Sequence, residues 1–276
     1  MNLQQRCRQL VGLRWRRLIV LNPLATVVTG VLLAGVLSSV QPLYAALQVG
    51  GSEPNVLIGA DDDNTANPAI QPPNTAANQS LNNTDIQVGG FGNDVLIGLL
   101  GNDVQRGGPG HDILVGGTEQ GTQPNSDVQF GDFGNDVSIW APGDGSDAFV
   151  GGRGLDAQIF GVIDRDANNV PTLSPPFEGF PQGVPTADVT NSPGFCTLER
   201  VPDPEFGFAW LVRFFVRSTG ALAVTIRLAE VEQVFCTSQA GGQITYADLT
   251  QAEPQFTPVT LEQVRQLNAT VALIIR

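Results

Sequence analysis

Between about residues 80 and 160 the chain alternates between polar, glycine-rich stretches and short apolar triplets. Val95-Leu96-Ile97 and Ile113-Leu114-Val115 are two such triplets, each preceded by six residues rich in glycine and ending in Asp. Three residues cannot hold a strand on their own, so the pattern predicts strands that stack on neighbouring repeats and are joined by tight turns. Further on the pattern changes. Residues 206–217 and 222–235 are aromatic and β-branched runs around Ser218-Thr219-Gly220, which predicts an antiparallel hairpin. Ile244-Thr245-Tyr246 reads as another short strand, residues 260–267 as a short capped helix, and residues 270–275 as a closing strand.

The repeat has a period of nine. The blocks starting at Gly89, Gly98 and Gly107 follow one another directly, and degenerate copies start at Ser80, Gly131, Gly143 and Gly151. The sixth-position aspartates are Asp85, Asp94, Asp103, Asp112, Asp127, Asp136, Asp147 and Asp156, spaced 9, 9, 9, 15, 9, 11 and 9 residues apart. The glycines that shape the turns are Gly89, Gly90, Gly92, Gly98, Gly101, Gly107, Gly108, Gly110, Gly134, Gly151, Gly152 and Gly154. Glycine suits these places because it enters the left-handed backbone region without penalty.

Blocks 89–97 and 107–115 carry every fixed position of G-G-x-G-x-D-x-U-x, and Gly-Asn-Asp recurs at 92–94, 101–103 and 134–136. In these residues the chain resembles the RTX family, the hemolysin-type calcium-binding nonapeptide repeat. The resemblance covers about residues 80–160, with a half-match from Gly50-Gly51 to Asn55-Val56-Leu57-Ile58, and leaves residues 165–276 unexplained. It implies an all-β fold built on a right-handed parallel β-roll, two blocks to a coil with one strand on each side. The C-terminal, mostly antiparallel segment would then pack on that roll.

In a two-block coil, residues one coil apart lie one strand spacing apart, about 4.8 Å. Asp94 would stack on Asp112, Asp112 on Asp136 and Asp136 on Asp156, with Asp85, Asp103, Asp127 and Asp147 forming a second series. Carboxylates held that close repel unless a cation lies between them. Ca²⁺ fits best, since carboxylates and turn carbonyls supply the oxygen ligands it accepts, whereas Mg²⁺ asks for a tighter octahedron. The eight aspartates are therefore the candidate metal ligands, with Asp94–Asp112 and Asp85–Asp103 foremost. The longer intervals, around residues 119–126 and 140–141, are expected to interrupt coordination.

One feature departs from the family. Position eight, expected to face inward, is apolar at Leu96, Leu114 and Phe149 but polar at Gln87, Gln105, Gln129, Ser138 and Gln158. Its neighbours Val95, Ile97, Val128, Phe130, Val137 and Ile139 are apolar. Either the register differs or another part of the chain covers an outer face.

Charge and composition then exclude partners. The formal net charge is −13, with 14 arginines, no lysine and one histidine. Five arginines and no acid lie in residues 1–46, so the rest of the chain carries nine arginines against 27 acids. Such a surface is a poor match for a phosphate backbone, which excludes nucleic acid. A single histidine excludes His-rich zinc sites.

Residues 1–46 combine Arg14-Trp15-Arg16-Arg17, an apolar run over 18–40 and small residues at Ala45-Ala46. They read as a secretory signal peptide, with a retained N-terminal membrane anchor as the alternative. Either way the remainder is exported, by the Sec or twin-arginine route rather than by the C-terminal signal typical of RTX proteins. Cys196 and Cys236 are left as an even pair that an oxidising compartment would join in a disulfide, two buried thiols being the other reading.

The domain organisation expected is the targeting segment 1–46, the roll at 47–164, a Pro-rich linker or meander at 165–195 and the β-rich segment 196–276. A polar loop at 59–79, with Asp61-Asp62-Asp63, would be inserted in the roll. Phe208, Trp210 and Phe214 read as core. There is no His-Glu-x-x-His and no Gly-x-Ser-x-Gly, so a catalytic role is not expected. The function expected is an exported calcium-binding protein with a structural, adhesive or surface-associated role. Calcium ions are its partners, together with a cell-surface or extracellular polymer. The alternative is a secreted hydrolase with its catalytic residues in 165–276.

Overall fold

The computed structural model describes residues 47–58, 85–99, 101–117, 126–167, 170–201 and 207–276. The targeting segment expected at 1–46 and the loop expected at 59–79 lie outside these residues. The described chain is all-β apart from two short helices.

The repeats wind between two eight-stranded sheets. Strands β1 (Leu47–Val49), β3 (Ile86–Val88), β5 (Val104–Pro109), β7 (Val128–Phe133) and β9 (Ala148–Arg153) lie side by side in the first. Strands β2 (Val56–Ile58), β4 (Val95–Ile97), β6 (Ile113–Val115), β8 (Val137–Trp140) and β10 (Ala157–Phe160) do so in the second. All of these pairs are parallel and their register follows the repeat: Leu96 opposes Leu114, and Gln87 opposes Gln105. This is a parallel β-roll.

After β10 the chain forms the small antiparallel pair β11 (Val162–Ile163) and β12 (Ala187–Asp188). The C-terminal segment then rejoins both sheets. Strands β13 (Gly194–Arg200), β14 (Trp210–Val216) and β15 (Leu222–Ala229) form an antiparallel meander whose last strand pairs in parallel with β9. Strand β16 (Gln233–Thr237) pairs in parallel with β10 and continues antiparallel through β17 (Ile244–Asp248) and β18 (Thr257–Val259). So β15 and β16, joined by Glu230-Val231-Glu232, add one further coil to the roll. The C-terminal segment extends the sheets as well as packing on them.

Position eight does face inward. Gln87 and Gln105 are fully buried, and each glutamine amide donates to the Oε1 of the one before: Gln87 to Gln48 at 2.9 Å, Gln105 to Gln87 at 2.8 Å, Gln129 to Gln105 at 2.8 Å. Gln87 and Gln105 also donate across the core to the carbonyls of Ile97 and Val115. These hydrogen bonds make a polar spine tolerable between sheets that are otherwise apolar. Beyond Phe149 the core turns aromatic, with Trp140 4.6 Å from Phe214 and 5.5 Å from Phe160 between ring centroids. Phe214 is thus core, as expected, while Trp210 is only partly buried against that cluster. The Cys196–Cys236 disulfide, Cα atoms 6.1 Å apart, ties β13 of the first sheet to β16 of the second.

The apolar flanks of position eight divide by sheet. On the second sheet Val95, Ile97, Ile113, Val115, Val137 and Ile139 are buried on the outer face under Phe180, Val184, Val264, Val271 and Ile274. That cover comes from the Pro-rich stretch, an ordered meander, and from helices α1 (Leu261–Leu267) and α2 (Ala269–Ile274). Thr260 and Gln263 close a capping box at the start of α1. Residues 270–275, expected as a strand, are mostly helical instead. The Asn268 side chain accepts from the Val271 N–H, and Val271 and Ile274, three residues apart, share the buried side. On the first sheet the outer face stays open, with Ile86 40% and Val104 36% exposed.

Candidate functional site

The turns along each edge of the roll are held in nearly identical conformation. At the second position Gly90, Gly108 and Gly152 have φ of 107°, 110° and 105°. Leu99 and Asp132 occupy the same position at φ 74° and 75°, a conformation disfavoured for L side chains by about 1–2 kcal/mol. Leu99 offsets this by burying its side chain in the cover of the second sheet, and Asp132 by pairing with Arg106. At the fourth position close approach decides: a Cβ on Gly110 would overlap the Gly92 carbonyl oxygen, and one on Gly134 the Gly110 carbonyl. The first-position glycines Gly89, Gly98, Gly107 and Gly151 each lie against the Oδ2 of their own block's aspartate. Gly101 and Gly154 take the fourth position of their blocks, at φ 125° and 155°.

All eight sixth-position aspartates are buried. They form two ladders in which each backbone N–H donates to the carboxylate one coil further on. In the first ladder Asp94 donates to Asp112, Asp112 to Asp136 and Asp136 to Asp156, each at 2.8 Å. In the second, Asp85 donates to Asp103 at 2.7 Å, Asp103 to Asp127 at 2.7 Å and Asp127 to Asp147 at 3.0 Å. The ladder hydrogen bonds continue across the longer intervals. The extra residues after Trp140 fold beside the ladder, where Ala141 N–H donates to the Asp144 carboxylate and Arg165 pairs with it.

Each ladder bond uses Oδ1. The Oδ2 atoms of Asp94, Asp112, Asp136 and Asp156 are buried and accept no hydrogen bond from any described residue. Burial, countered by the ladder hydrogen bond and reinforced by neighbouring carboxylates, raises Asp112 to about 9 and Asp136 to about 8. Burial likewise raises Asp156 to about 7 and Asp147 to about 6, and pushes Asp94 up. At one strand spacing, two charged carboxylates repel by about 3 kcal/mol at an effective dielectric near 20. The ladders therefore hold either protons or cations.

The donor set is hard oxygen: the carboxylate Oδ2 atoms and the turn carbonyls beside them, such as Gly107 O against Gly89 and Gly116 O against Gly98. No three His, Cys, Asp or Glu side chains converge on a metal-sized site among the described residues. A cation here would bind two stacked carboxylates, with main-chain carbonyls and water completing its shell. That chemistry suits Ca²⁺ and not a metal that prefers sulfur or nitrogen. The residues fit the ion in type and in their unpartnered oxygens.

Several residues of the edges were not legible as such. Asn55 begins the first ladder, its N–H donating to Asp94 Oδ1 at 2.6 Å, and Glu232 ends it, its Oε2 accepting from the Asp156 N–H at 2.8 Å. His111 belongs to a more exposed column at position five. Its N–H donates to Asn93 Oδ1 and its Nδ1 accepts from Asn135 N–H, both at 2.9 Å. The period of nine points to position five for His111, whereas nothing in that period points to Glu232.

A scan against protein-family models finds no match for this chain, and neither does a search of curated proteins.

Proposed function

We propose that this chain is an exported calcium-binding repeat protein of the RTX type, with a structural, adhesive or surface-associated role. The observation that carries the reading is the first ladder: four buried aspartates in register, each with one oxygen held by a backbone N–H and the other without a partner. Bound Ca²⁺ supplies the positive charge that lets these carboxylates ionise in place. The chain's own part is to fix Oδ1 by the ladder bond, to aim Oδ2 at the glycine turn, and to bring carbonyls beside it.

Each site at tenfold saturation adds about 1.4 kcal/mol to the folded state, so several sites would govern whether the roll is ordered. The charge split between residues 1–46 and the remainder supports export, and the Cys196–Cys236 disulfide supports an oxidising compartment. Outside the cell the C-terminal segment would dock the ordered roll to a cell surface or an extracellular polymer. Thermal unfolding of the full chain in CaCl₂ and in chelator tests the reading. The expected result is a higher midpoint in calcium; coincident curves would overturn it.

A further inference from the structure

The first ladder does not stop with the recognisable repeats. Ala157 opposes Gln233 and Ala148 opposes Arg227, so β15 and β16 lie on β9 and β10 as one more coil. The turn in this coil is Glu230-Val231-Glu232, against Gly151 to Asp156 in the coil beneath. Glu230 stands over Gly151 with φ 53°, and its carbonyl accepts from the Gly152 N–H at 3.2 Å. Glu232 stands over Asp156, and its longer side chain reaches back across the shortened turn to accept the Asp156 N–H.

Two features point to a ligand here. Asp156 is fully buried and its Oδ2 has no hydrogen-bond partner among the described residues. That oxygen and the Glu230 carbonyl oxygen both lie within 2.6 Å of the point a Cβ on Gly151 would occupy, so they converge on one place. The charges acting on the pair are all of one sign: Glu232 and Glu230 act on Asp156, and Glu230 and Asp248 act on Glu232. A carboxylate pair so placed repels unless a cation joins it.

We propose that Asp156 and Glu232, with the Glu230 carbonyl, form a further divalent-cation site at the junction between the roll and the C-terminal segment. The inference rests on the calcium reading above and extends it to a turn that lacks the nonapeptide pattern. Occupancy of this site ties β16 to β10, so calcium orders the C-terminal sheets together with the roll. Because Cys236 of β16 is bonded to Cys196 of β13, that ordering reaches both sheets.

Calorimetric titration of the full chain and of its Glu232→Gln variant with CaCl₂ tests this. Glutamine keeps an acceptor for the Asp156 N–H but removes the charge, which separates a ligand from a hydrogen-bonding cap. The variant is expected to bind one calcium fewer than wild type, its other sites unchanged. Equal stoichiometry and affinity would overturn the junction site while leaving the calcium reading intact. Absence of binding heat in wild type would overturn both. Should the variant fail to fold, hydrogen exchange on wild type decides: calcium is expected to protect residues 150–160 and 230–236 together. Protection confined to residues 89–140 would overturn the proposal.

Discussion

The backbone N–H of Asp112 donates to Oδ1 of Asp136 at 2.8 Å, while Oδ2 of Asp136 meets no partner among the described residues. One side chain thus has two separable tasks. Its first oxygen fixes the register of adjacent coils, and its second is left for a proton or a cation. Asparagine retains the first task and abolishes the second. Asp136→Asn is therefore expected to fold, and in chelator at pH 7 to be more stable than wild type, because asparagine enters the buried place without having to bind a proton. Saturating calcium should then stabilise it by about 1.4 kcal/mol less than it stabilises wild type, the contribution of the lost site. Chemical denaturation in both conditions checks this.

The raised aspartates give the cation-free protein a definite pH dependence. Asp112 at about 9 and Asp136 at about 8 bind protons more tightly folded than unfolded, where a value near 3.8 applies. Their contribution is fully present below that unfolded value and is lost as pH rises toward 8 and 9. In chelator the unfolding midpoint should therefore fall steadily between pH 5 and pH 9. Saturating calcium, which favours the ionised carboxylates, should flatten or reverse the trend. Melting curves across this range, with and without chelator, measure it.

The fourth-position glycines are held by close approach. Gly110→Ala drives a methyl group into the Gly92 carbonyl, which belongs to backbone that cannot yield without breaking the coil. A loss of about 3 kcal/mol is expected. Gly51, at the second position of the first coil, has open space and no positive φ, so Gly51→Ala should change stability by less than about 0.5 kcal/mol. Urea midpoints of the two variants provide the comparison.

The disulfide closes the two sheets on each other at the C-terminal coil. Removing it with Cys196→Ala and Cys236→Ala should lower stability by about 2–5 kcal/mol. Wild type treated with reductant should show the same loss, and denaturation with and without reductant reads it directly.

Much of the architecture was legible because a nine-residue period is a strong statement about register. Asp94 over Asp112 and Asp85 over Asp103 follow from it, as does the inward position of Leu96 and Leu114. The even count of cysteines beyond residue 46 likewise pointed to the Cys196–Cys236 bond. What stayed hidden depends on partners far along the chain. Gln105 at an inward position looks like a contradiction until Gln87, Gln129 and the Val115 carbonyl surround its amide. The helices that cover Val95 and Ile113 are short, and residues 270–275 form an almost continuous apolar run that suits a strand equally well until Asn268 caps it. Glu232 was invisible because its turn is shorter and carries no glycine, so only pairing of Ala157 with Gln233 places it on the ladder.

The proposed function requires stacked aspartates to exchange protons for calcium. Its most direct test is calcium titration of the full chain at pH 7 by calorimetry, repeated in buffers of different ionisation enthalpy. Saturable binding accompanied by net proton release is expected, because burial raises Asp112 to about 9 and Asp136 to about 8, so both carry protons at pH 7 before calcium arrives. A titration without saturable heat in any buffer would contradict it.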